Sequence, residues 1–267
     1  MAEKSEQTNT TIFAEERKHQ ILKLLNSQGK IVVPELCDLF GVSASTIRND
    51  LRDLENAGML KRTHGGAISN TKMSHELPPK VKETKMIKQK QEMAAAALNL
   101  IEDGDTIAIL SGTTTFELIK ILSCKKNLTI ILNDIHFATW LEENTDFTII
   151  ILAGILRNHY HSVHSPVKNE LLNIINIDKV FFSCNGFSIQ RGITTPYLDS
   201  AVSFRNVLQA SCTRILMSDS TKIDSVTFAK IADLSEINIL ITDSGISQED
   251  VDSLQEYVEV IISPALN

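Results

Sequence analysis

Apolar residues between positions 15 and 56 recur every three or four residues, a period that predicts three short helices. The first helix is expected to end near Gly29, because glycine often terminates helices. The second is expected to begin at Pro34, since proline suits the first helical turn. The residues predicted to be buried on the second helix are Leu36, Leu39 and Phe40. These patterns indicate a small helical module.

A short polar turn separates the second helix from the third. Gly41 permits a tight turn with a positive φ, and Ser43 is a favourable N-cap for the helix that follows. That helix carries an apolar stripe of Ile47, Leu51 and Leu54, spaced i, i+4 and i+7. Two helices joined by a short glycine-bearing turn form the helix-turn-helix pattern.

The polar side of the third helix favours DNA recognition. At about 100° per residue, the side opposite the apolar stripe carries Ser45, Asn49, Arg52 and Asn56, with Arg48 on its flank. None of these is acidic; asparagine can bridge adenine edges, and arginine can contact guanine or phosphate. The alternative is an ordinary solvated helix face.

A predicted β-hairpin follows the third helix. Residues 59–68 alternate in character around Gly65-Gly66, a pair suited to a tight turn. A hairpin after a helix-turn-helix is a wing, whose basic residues would meet phosphates or a minor groove. The predicted DNA-binding residues of helix and wing are Ser43, Ser45, Thr46, Arg48, Asn49, Arg52, Lys61, Arg62 and His64.

From about residue 85 the pattern changes to one helix followed by alternating strands and helices. The predicted strands are Thr106–Leu110, Leu128–Leu132, Phe147–Leu152, Lys179–Cys184, Arg214–Met217, Ile237–Ile241 and Val258–Ile262. Helical patterns between them include Phe116–Leu122, Phe137–Glu143 and Val202–Ala210. This alternation predicts an α/β domain with a mostly parallel sheet flanked by helices. Ligands of such sheets bind at the carboxyl ends of the strands.

Those strand ends carry a candidate ligand site. Ser111–Thr115 joins the first strand directly to a helix, so successive backbone N–H groups, hydroxyls and the helix N-terminus could cradle a phosphate. Threonine-rich turns are also common helix caps, which leaves both interpretations open. The residues of this cradle and of the other strand ends and turns are Ser111, Gly112, Thr113, Thr114, Thr115, Asn133, Gly154, Arg157, Gly186, Thr194, Thr195, Asp219 and Lys222.

Length and charge support a division into two domains. The chain has 267 residues and a net charge of −7, but residues 1–90 carry +4 and the remainder −11. A basic N-terminal part indicates that any polyanion binds there, although a lysine-rich solvated linker would give the same balance. We expect a DNA-binding domain at 14–69, a linker at 70–88 around Pro78-Pro79, and a ligand-binding α/β domain at 89–264.

Neither a secretion signal nor an apolar run long enough to span a membrane is present in the sequence. Four isolated cysteines contain no C-x-x-C pair, so reduced thiols are expected in a cytoplasmic protein. His159, His161 and His164 have a spacing that could hold a metal, but no cysteine or carboxylate lies beside them. No metal or cofactor is predicted.

Several motifs resemble the DeoR family of transcriptional regulators. The N-terminal resemblance consists of Arg17-x3-Ile21-x3-Leu25-x17-Ser43-x2-Thr46-Ile47-Arg48-Asn49-Asp50-Leu51 and the wing His64-Gly65-Gly66-Ala67. The C-terminal resemblance consists of Gly112-Thr113-Thr114, Gly154-Ile155-Leu156-Arg157, Gly192-Ile193-Thr194-Thr195-Pro196 and Asp219-Ser220-Thr221-Lys222. Together they cover about residues 14–243. The sensor domain of that family is similar in fold to ribose-5-phosphate isomerase and CoA transferases.

The resemblance implies a homo-oligomeric repressor of a sugar or polyol operon, which binds double-stranded operator DNA and responds to a phosphorylated sugar or polyol. It adds Arg205 to the effector-binding residues. The chain departs from the family at Asn49, where a second arginine is more common, and at Ser111, where an acid is usual. It also departs at Ser200, Phe204 and His164. No catalytic motif is present, so no enzyme is expected; an isomerase-like enzyme and a sensor of a non-sugar ligand are the alternatives.

Overall fold

A computed structural model describes residues 14–28, 30–57, 59–63, 65–68, 79–167 and 169–265. The chain divides into two compact units, Met1–His75 and Glu76–Asn267. Of the predicted linker 70–88, the described part contains a helix, α4, at Pro79–Thr84, and the start of the next helix. None of the described helices is both long and apolar enough to cross a membrane.

The N-terminal unit is a winged helix-turn-helix, as the periodicity predicts. Its elements are α1 (Ala14–Gln28), β1 (Lys30–Val32), α2 (Val33–Phe40), α3 (Ala44–Asn56), β2 (Lys61–Thr63) and β3 (Gly66–Ile68). The strands form an antiparallel sheet in the order β1-β3-β2, so the predicted hairpin gains a third strand from before α2. Ile21, Ile47 and Leu51 pack with Leu60 of the wing in one core.

The turn between α2 and α3 has the predicted geometry. Gly41 adopts a left-handed conformation with φ of 62°, and the Ser43 hydroxyl accepts a hydrogen bond from the backbone N–H of Thr46. One prediction in α2 is wrong, because Leu39 is 60% exposed. Leu36 and Phe40 lie one turn apart and fill the core, which leaves Leu39 beyond the edge of the buried face.

The C-terminal unit contains all seven predicted strands. Its helices after α4 are α5 (Ile87–Leu98), α6 (Thr113–Ile121), α7 (Ile135–Asn144), α8 (Leu198–Gln209) and α9 (Gln248–Gln255). The strands of its large sheet are β4 (Thr106–Ile109), β5 (Thr129–Leu132), β6 (Thr148–Ile151), β9 (Ile177–Phe182), β12 (Ser211–Met217), β14 (Ile239–Thr242) and β15 (Glu259–Ile262). The remaining strands lie outside the large sheet: β7 (Ile155–Leu156), β8 (Val163–His164), β10 (Gly186–Ser188), β11 (Gly192–Thr195) and β13 (Ala229–Ala232).

The large sheet is parallel throughout, in the order β15-β14-β12-β9-β4-β5-β6. Its two faces bury separate apolar clusters. Met93 of α5, Leu118 of α6 and Phe137 of α7 pack on one face. Phe204 of α8 and Leu254 of α9 pack on the other. The predicted fold class is confirmed, and every strand ends at the same edge of the sheet.

A second, antiparallel sheet was not expected from the sequence. It has the order β10-β11-β13 and packs through Ile193 and Ile231 against the face that carries α8. The segment predicted as a turn at Gly192–Pro196 is therefore mostly strand, with only Gly192 retaining a positive φ, of 70°. Buried β-branched residues on both sides favour the extended conformation.

Candidate nucleic-acid interface and effector site

Buried and exposed ion pairs fix α3 against α1. The Arg17 guanidinium donates to both carboxylate oxygens of Asp50, with Nε 2.6 Å from Oδ2 and a terminal nitrogen 3.2 Å from Oδ1. Both side chains are more than nine-tenths buried. Nearer the surface, Lys18 Nζ lies 2.8 Å from Asp53 Oδ2. Asp50 and Asp53 of α3 thus pair with α1.

The opposite side of α3 presents the predicted polar face to solvent. Ser45, Arg48, Asn49, Arg52 and Asn56 are all exposed. Within the described ranges, the side chains of Arg48, Asn49 and Arg52 have no hydrogen-bond partner in the protein. Their donors and acceptors therefore remain available to base edges and phosphates.

Three hydroxyl groups cluster at the N-terminus of α3. Ser43 Oγ lies 2.7 Å from Ser45 Oγ and 2.8 Å from Thr46 Oγ1. The same Ser43 oxygen accepts the Thr46 backbone N–H at 3.2 Å. Hydroxyls beside a helix N-terminus suit a phosphate, because the helix dipole places positive potential there.

The predicted wing residues differ in their surroundings. Lys61 is exposed. Arg62 is held by Glu55 of α3, with Nε 2.7 Å from Oε2 and its backbone N–H donating to Oε1 at 2.9 Å. These hydrogen bonds lower the pKa of the Glu55 carboxyl. Arg62 thus links wing and helix, while His64 lies outside the described residues.

The predicted phosphate cradle lies between β4 and α6. Gly112 immediately precedes α6, and a Cβ added there would lie 2.1 Å from Ser183 Oγ, beyond the end of β9. Thr115 is buried and donates its hydroxyl to the carbonyl oxygens of Leu110, at 2.7 Å, and Gly112, at 3.0 Å. Thr115 therefore shapes the turn.

Asn133 joins the ends of β4 and β5. Its Oδ1 accepts the Ser111 backbone N–H at 2.7 Å, and its Nδ2 donates to the Val163 carbonyl at 3.2 Å. The neighbouring Asp134 caps α7, and burial raises the pKa of its carboxyl. Gly154 allows a close crossing of the chain, because a Cβ there would lie 2.5 Å from the His164 carbonyl oxygen. Among the predicted effector residues, Asn133 therefore lies beside the phosphate cradle, because it bonds to Ser111.

Asp219 and Lys222 occupy the turn after β12. The buried Asp219 carboxylate accepts the backbone N–H of Thr221 at 3.2 Å and caps a short 3₁₀ helix, Ser220–Lys222. Ser220 in turn bonds through its backbone N–H and hydroxyl to Asp243, at 3.0 and 3.2 Å. Asp243, which follows β14, was not singled out from the sequence and braces this turn.

Lys90 is the main site residue that sequence reasoning missed. It lies on α5 and is only 4% exposed. Burial is the largest cause that lowers the pKa of Lys90 to about 8, and the nearby charge of Asp219 opposes it while that of Lys222 adds to it. Its amine donates to the carbonyl of Lys82. Lys90 can be recognised by its lowered pKa and by the nearby charges of residues at the strand ends. Both features depend on the folded structure and cannot be read from the sequence.

Other predicted effector residues serve local contacts. Arg157 stacks its guanidinium on the rings of Tyr160 and Tyr197, with Cζ 3.7 and 3.4 Å from the ring centroids. Arg205 donates to the backbone carbonyls of Ile231 and Lys230, at 2.9 and 3.1 Å, and so ties α8 to β13.

The remaining predicted effector residues lie in the small antiparallel sheet. Thr194 Oγ1 donates to the Gly186 carbonyl at 3.0 Å and accepts the Thr227 backbone N–H at 2.9 Å. Thr195 Oγ1 lies 3.4 Å from Asn185 Oδ1. Gly186 permits a close approach, since a Cβ would lie 2.2 Å from the Ser225 carbonyl oxygen. These residues hold the small sheet together.

The three histidines considered as metal ligands have different environments. His159 and His161 are exposed, and both have positive φ. His164 is buried, with Nε2 3.0 Å from Ser162 Oγ and 3.3 Å from Ser200 Oγ. Within the described part of the chain, no three histidine, cysteine or acidic side chains come together as a metal site.

Solved structures give only a distant likeness. Ribose 5-phosphate isomerase from Plasmodium falciparum aligns with a TM-score of 0.39 and 15% identity, over 51% of this chain and 52% of that one. No conclusion about function follows from so low a score.

Comparisons with protein families and curated proteins agree across both units. The DeoR-like helix-turn-helix domain matches residues 17–73, and the DeoR C terminal sensor domain matches residues 85–244. The chain is 32% identical to the HTH-type transcriptional regulator YulB of Bacillus subtilis, over 90% of this chain and 93% of that one. It is 33% identical to the lactose phosphotransferase system repressor of Staphylococcus epidermidis, over 92% and 98%. This chain therefore belongs to the DeoR family of transcriptional regulators.

Proposed function

We propose that this protein represses a sugar- or polyol-utilisation operon, and that a phosphorylated sugar or polyol bound to the C-terminal unit switches its affinity for operator DNA. The N-terminal unit binds DNA through the exposed face of α3 and through Lys61. This is supported by the open donors and acceptors of Arg48, Asn49 and Arg52, and by the name of the staphylococcal relative, a lactose phosphotransferase system repressor.

The effector site that we propose is the cluster at the carboxyl edge of the large sheet. The observation that carries it is the buried amine of Lys90, whose pKa is affected by the charges of Asp219 and Lys222, because two lysine cations in this part of the molecule can attract a phosphate. The N-terminus of α6 at Gly112 adds positive potential, and Thr114 adds a hydroxyl. Ser183 and Asn133 shape the floor of the cradle.

We infer that Arg157, Arg205, Thr194 and Thr195 position the surrounding loops and small sheet. In the described structure their polar groups contact other parts of the protein. Ligand binding that released Arg157 from its two tyrosines would alter the loop at residues 157–162. A switch requires that the effector bind one arrangement of the protein more tightly than another.

Selection from a random DNA library with the full chain would identify a preferred operator. Fluorescence anisotropy on that operator then tests the switch with matched free and phosphorylated sugars. We expect one phosphorylated sugar to change operator affinity, and Lys222→Ala to lose this response while it keeps DNA binding. An effect of the free sugar alone would contradict a phosphate cradle.

The same compounds should undergo no turnover, because we propose that the site binds and does not catalyse. Interconversion of pentose or hexose phosphates by the purified protein would instead support the isomerase-like alternative. A response only to compounds that are not sugars would support the other alternative, a sensor of a non-sugar ligand.

A further inference from the structure

The two edges of the large sheet differ in how they are protected from pairing with another chain. Natural edge strands commonly carry charges, prolines or bulges that prevent such pairing. β15 begins with Glu259 and is followed closely by Pro264. β6 has the sequence Thr-Ile-Ile-Ile, without a charge or proline. β6 is therefore open to pairing in a way that β15 is not.

Within the part of the chain that the structure describes, the backbone of β6 has unpaired groups on its outer side. The Thr148 N–H donates to the Leu128 carbonyl at 3.1 Å, and the Leu152 N–H donates to the Leu132 carbonyl at 2.8 Å. Because inward and outward groups alternate along a strand, the N–H and C=O groups of Ile149 and Ile151 point away from β5. Among the described residues, no strand pairs with this side.

Exposed apolar side chains continue from this edge into the next hairpin. Ile151 is 49% exposed, Ile155 71% and Leu156 46%. Single exposed apolar residues are ordinary, but a run of them beside open backbone groups is typical of an interaction surface.

The charges around β6 favour a second copy of the same chain in antiparallel orientation. Glu142, Glu143 and Asp146 precede the strand and are exposed. No acidic residue occurs from 147 to 167, a stretch that contains Arg157. Two antiparallel copies place the acidic end of one beside the acid-free end of the other. A parallel arrangement would place the acidic ends together.

We propose that β6 pairs antiparallel with β6 of a second copy, about a two-fold axis at Ile150, and joins two large sheets into one. The N–H and C=O groups of Ile149 then bond to Ile151 of the second copy, and the reverse pair completes the contact. Such a contact is closed and self-complementary. Its two-fold symmetry also matches the paired half-sites that helix-turn-helix dimers read.

Two matched proline variants test this interface by sedimentation velocity on the full chain. Ile151→Pro removes an outward N–H of β6, and Ile262→Pro removes one of β15. The alternation from the Glu259 and Ser263 bonds to Asn238 and Thr242 places the Ile262 N–H outward as well. We expect wild type and Ile262→Pro to form the same even-numbered oligomer, and Ile151→Pro to have half its mass. A monomeric wild type, or Ile151→Pro at the wild-type mass, would overturn the proposal.

If Ile151→Pro does not fold, hydrogen exchange of the wild-type protein tests the proposed β6 interface instead. We expect the amides of residues 147–152 to become more protected as protein concentration rises, while those of residues 259–262 stay unchanged. Equal and concentration-independent exchange at both edges would overturn the interface.

Discussion

The DNA-facing side of α3 and the carboxyl edge of the large sheet use their polar residues differently. On α3 the side chains of Arg48, Asn49 and Arg52 are exposed and make no hydrogen bond within the described protein. At the sheet edge, Thr115 and Asn133 are buried and bonded to neighbouring backbone. The first surface can be changed with little effect on folding. The second combines binding with structural support, so a substitution there affects both.

The largest effect should come from the buried pair beneath α3. Asp50→Ala removes the buried carboxylate that pairs with Arg17, and breaking a buried ion pair typically costs about 3–5 kcal/mol. We expect chemical denaturation to show this loss in the N-terminal unit, together with loss of DNA binding. Asp53→Ala is the control, because its pair with Lys18 is more exposed and should change stability by less than about 1 kcal/mol. Equal losses would contradict the difference between the two pairs.

Substitutions on the exposed face should affect DNA binding without affecting folding. Arg48→Ala, Asn49→Ala and Arg52→Ala should each weaken binding to the selected operator by about 1–3 kcal/mol where the side chain contacts a base. The thermal midpoint should stay unchanged, since these side chains have no partners in the described structure.

Lys61→Ala provides a contrasting variant on the wing. It should weaken binding to all sequences alike and reduce the salt dependence by about one unit, as expected for a phosphate contact. Unchanged operator affinity in all three helix variants would show that another surface reads the DNA.

The buried amine of Lys90 should make stability depend on pH. Its pKa is about 8 in the folded protein and 10.5 normally, so the unfolded chain binds more protons between these values. The free energy of unfolding should therefore rise with pH above 8, by at most about 1.4 kcal/mol per unit. Denaturation at pH 7.5 and 9 should show this rise in wild type and in Lys88→Met, which changes an exposed lysine of the same helix.

Lys90→Met should remove that contribution. An identical pH dependence in Lys90→Met and wild type would mean that the amine is not desolvated. A bound phosphate favours the charged amine, so effector affinity should also fall as pH rises above 8.

Substitutions at two adjacent threonines of the phosphate cradle should distinguish a structural role from a ligand-binding role. Thr115→Val removes a buried hydroxyl that donates to two carbonyls, and should lower the free energy of unfolding by about 1 kcal/mol. Thr114→Val should leave stability unchanged and remove the response to effector. Calorimetry measures stability, and operator binding measures the response to effector. Loss of the response in Thr115→Val, with the response kept in Thr114→Val, would show that Thr115 contacts the ligand.

The sequence predicted elements whose pattern repeats locally. The stripe of Ile47, Leu51 and Leu54 sufficed for α3, and short apolar runs sufficed for all seven strands of the large sheet. The small sheet was missed because its strands pair across large separations in the sequence, as between β11 and β13. Periodicity carries no information about such pairing.

The candidate site was only partly predictable for a related reason. Gly112 and Asp219 follow strands and could be placed at the sheet edge from the sequence. Lys90 lies in a lysine- and glutamine-rich helical segment that resembles a solvated surface, and its burial depends on packing against α6 and the sheet. The bond from Asn133 to Ser111 joins residues 22 positions apart. Tertiary contacts of this kind determine the site.

Thermal unfolding of the full chain with matched free and phosphorylated sugars tests the central claim most directly. A ligand at 100 times its dissociation constant adds about 2.7 kcal/mol, which shifts the midpoint by roughly 5–11 °C for a domain of this size. We predict a shift with one phosphorylated sugar, none with its free form, and none in Lys222→Ala. If folded wild type shows no shift with any phosphorylated sugar or polyol, the proposed effector class is contradicted.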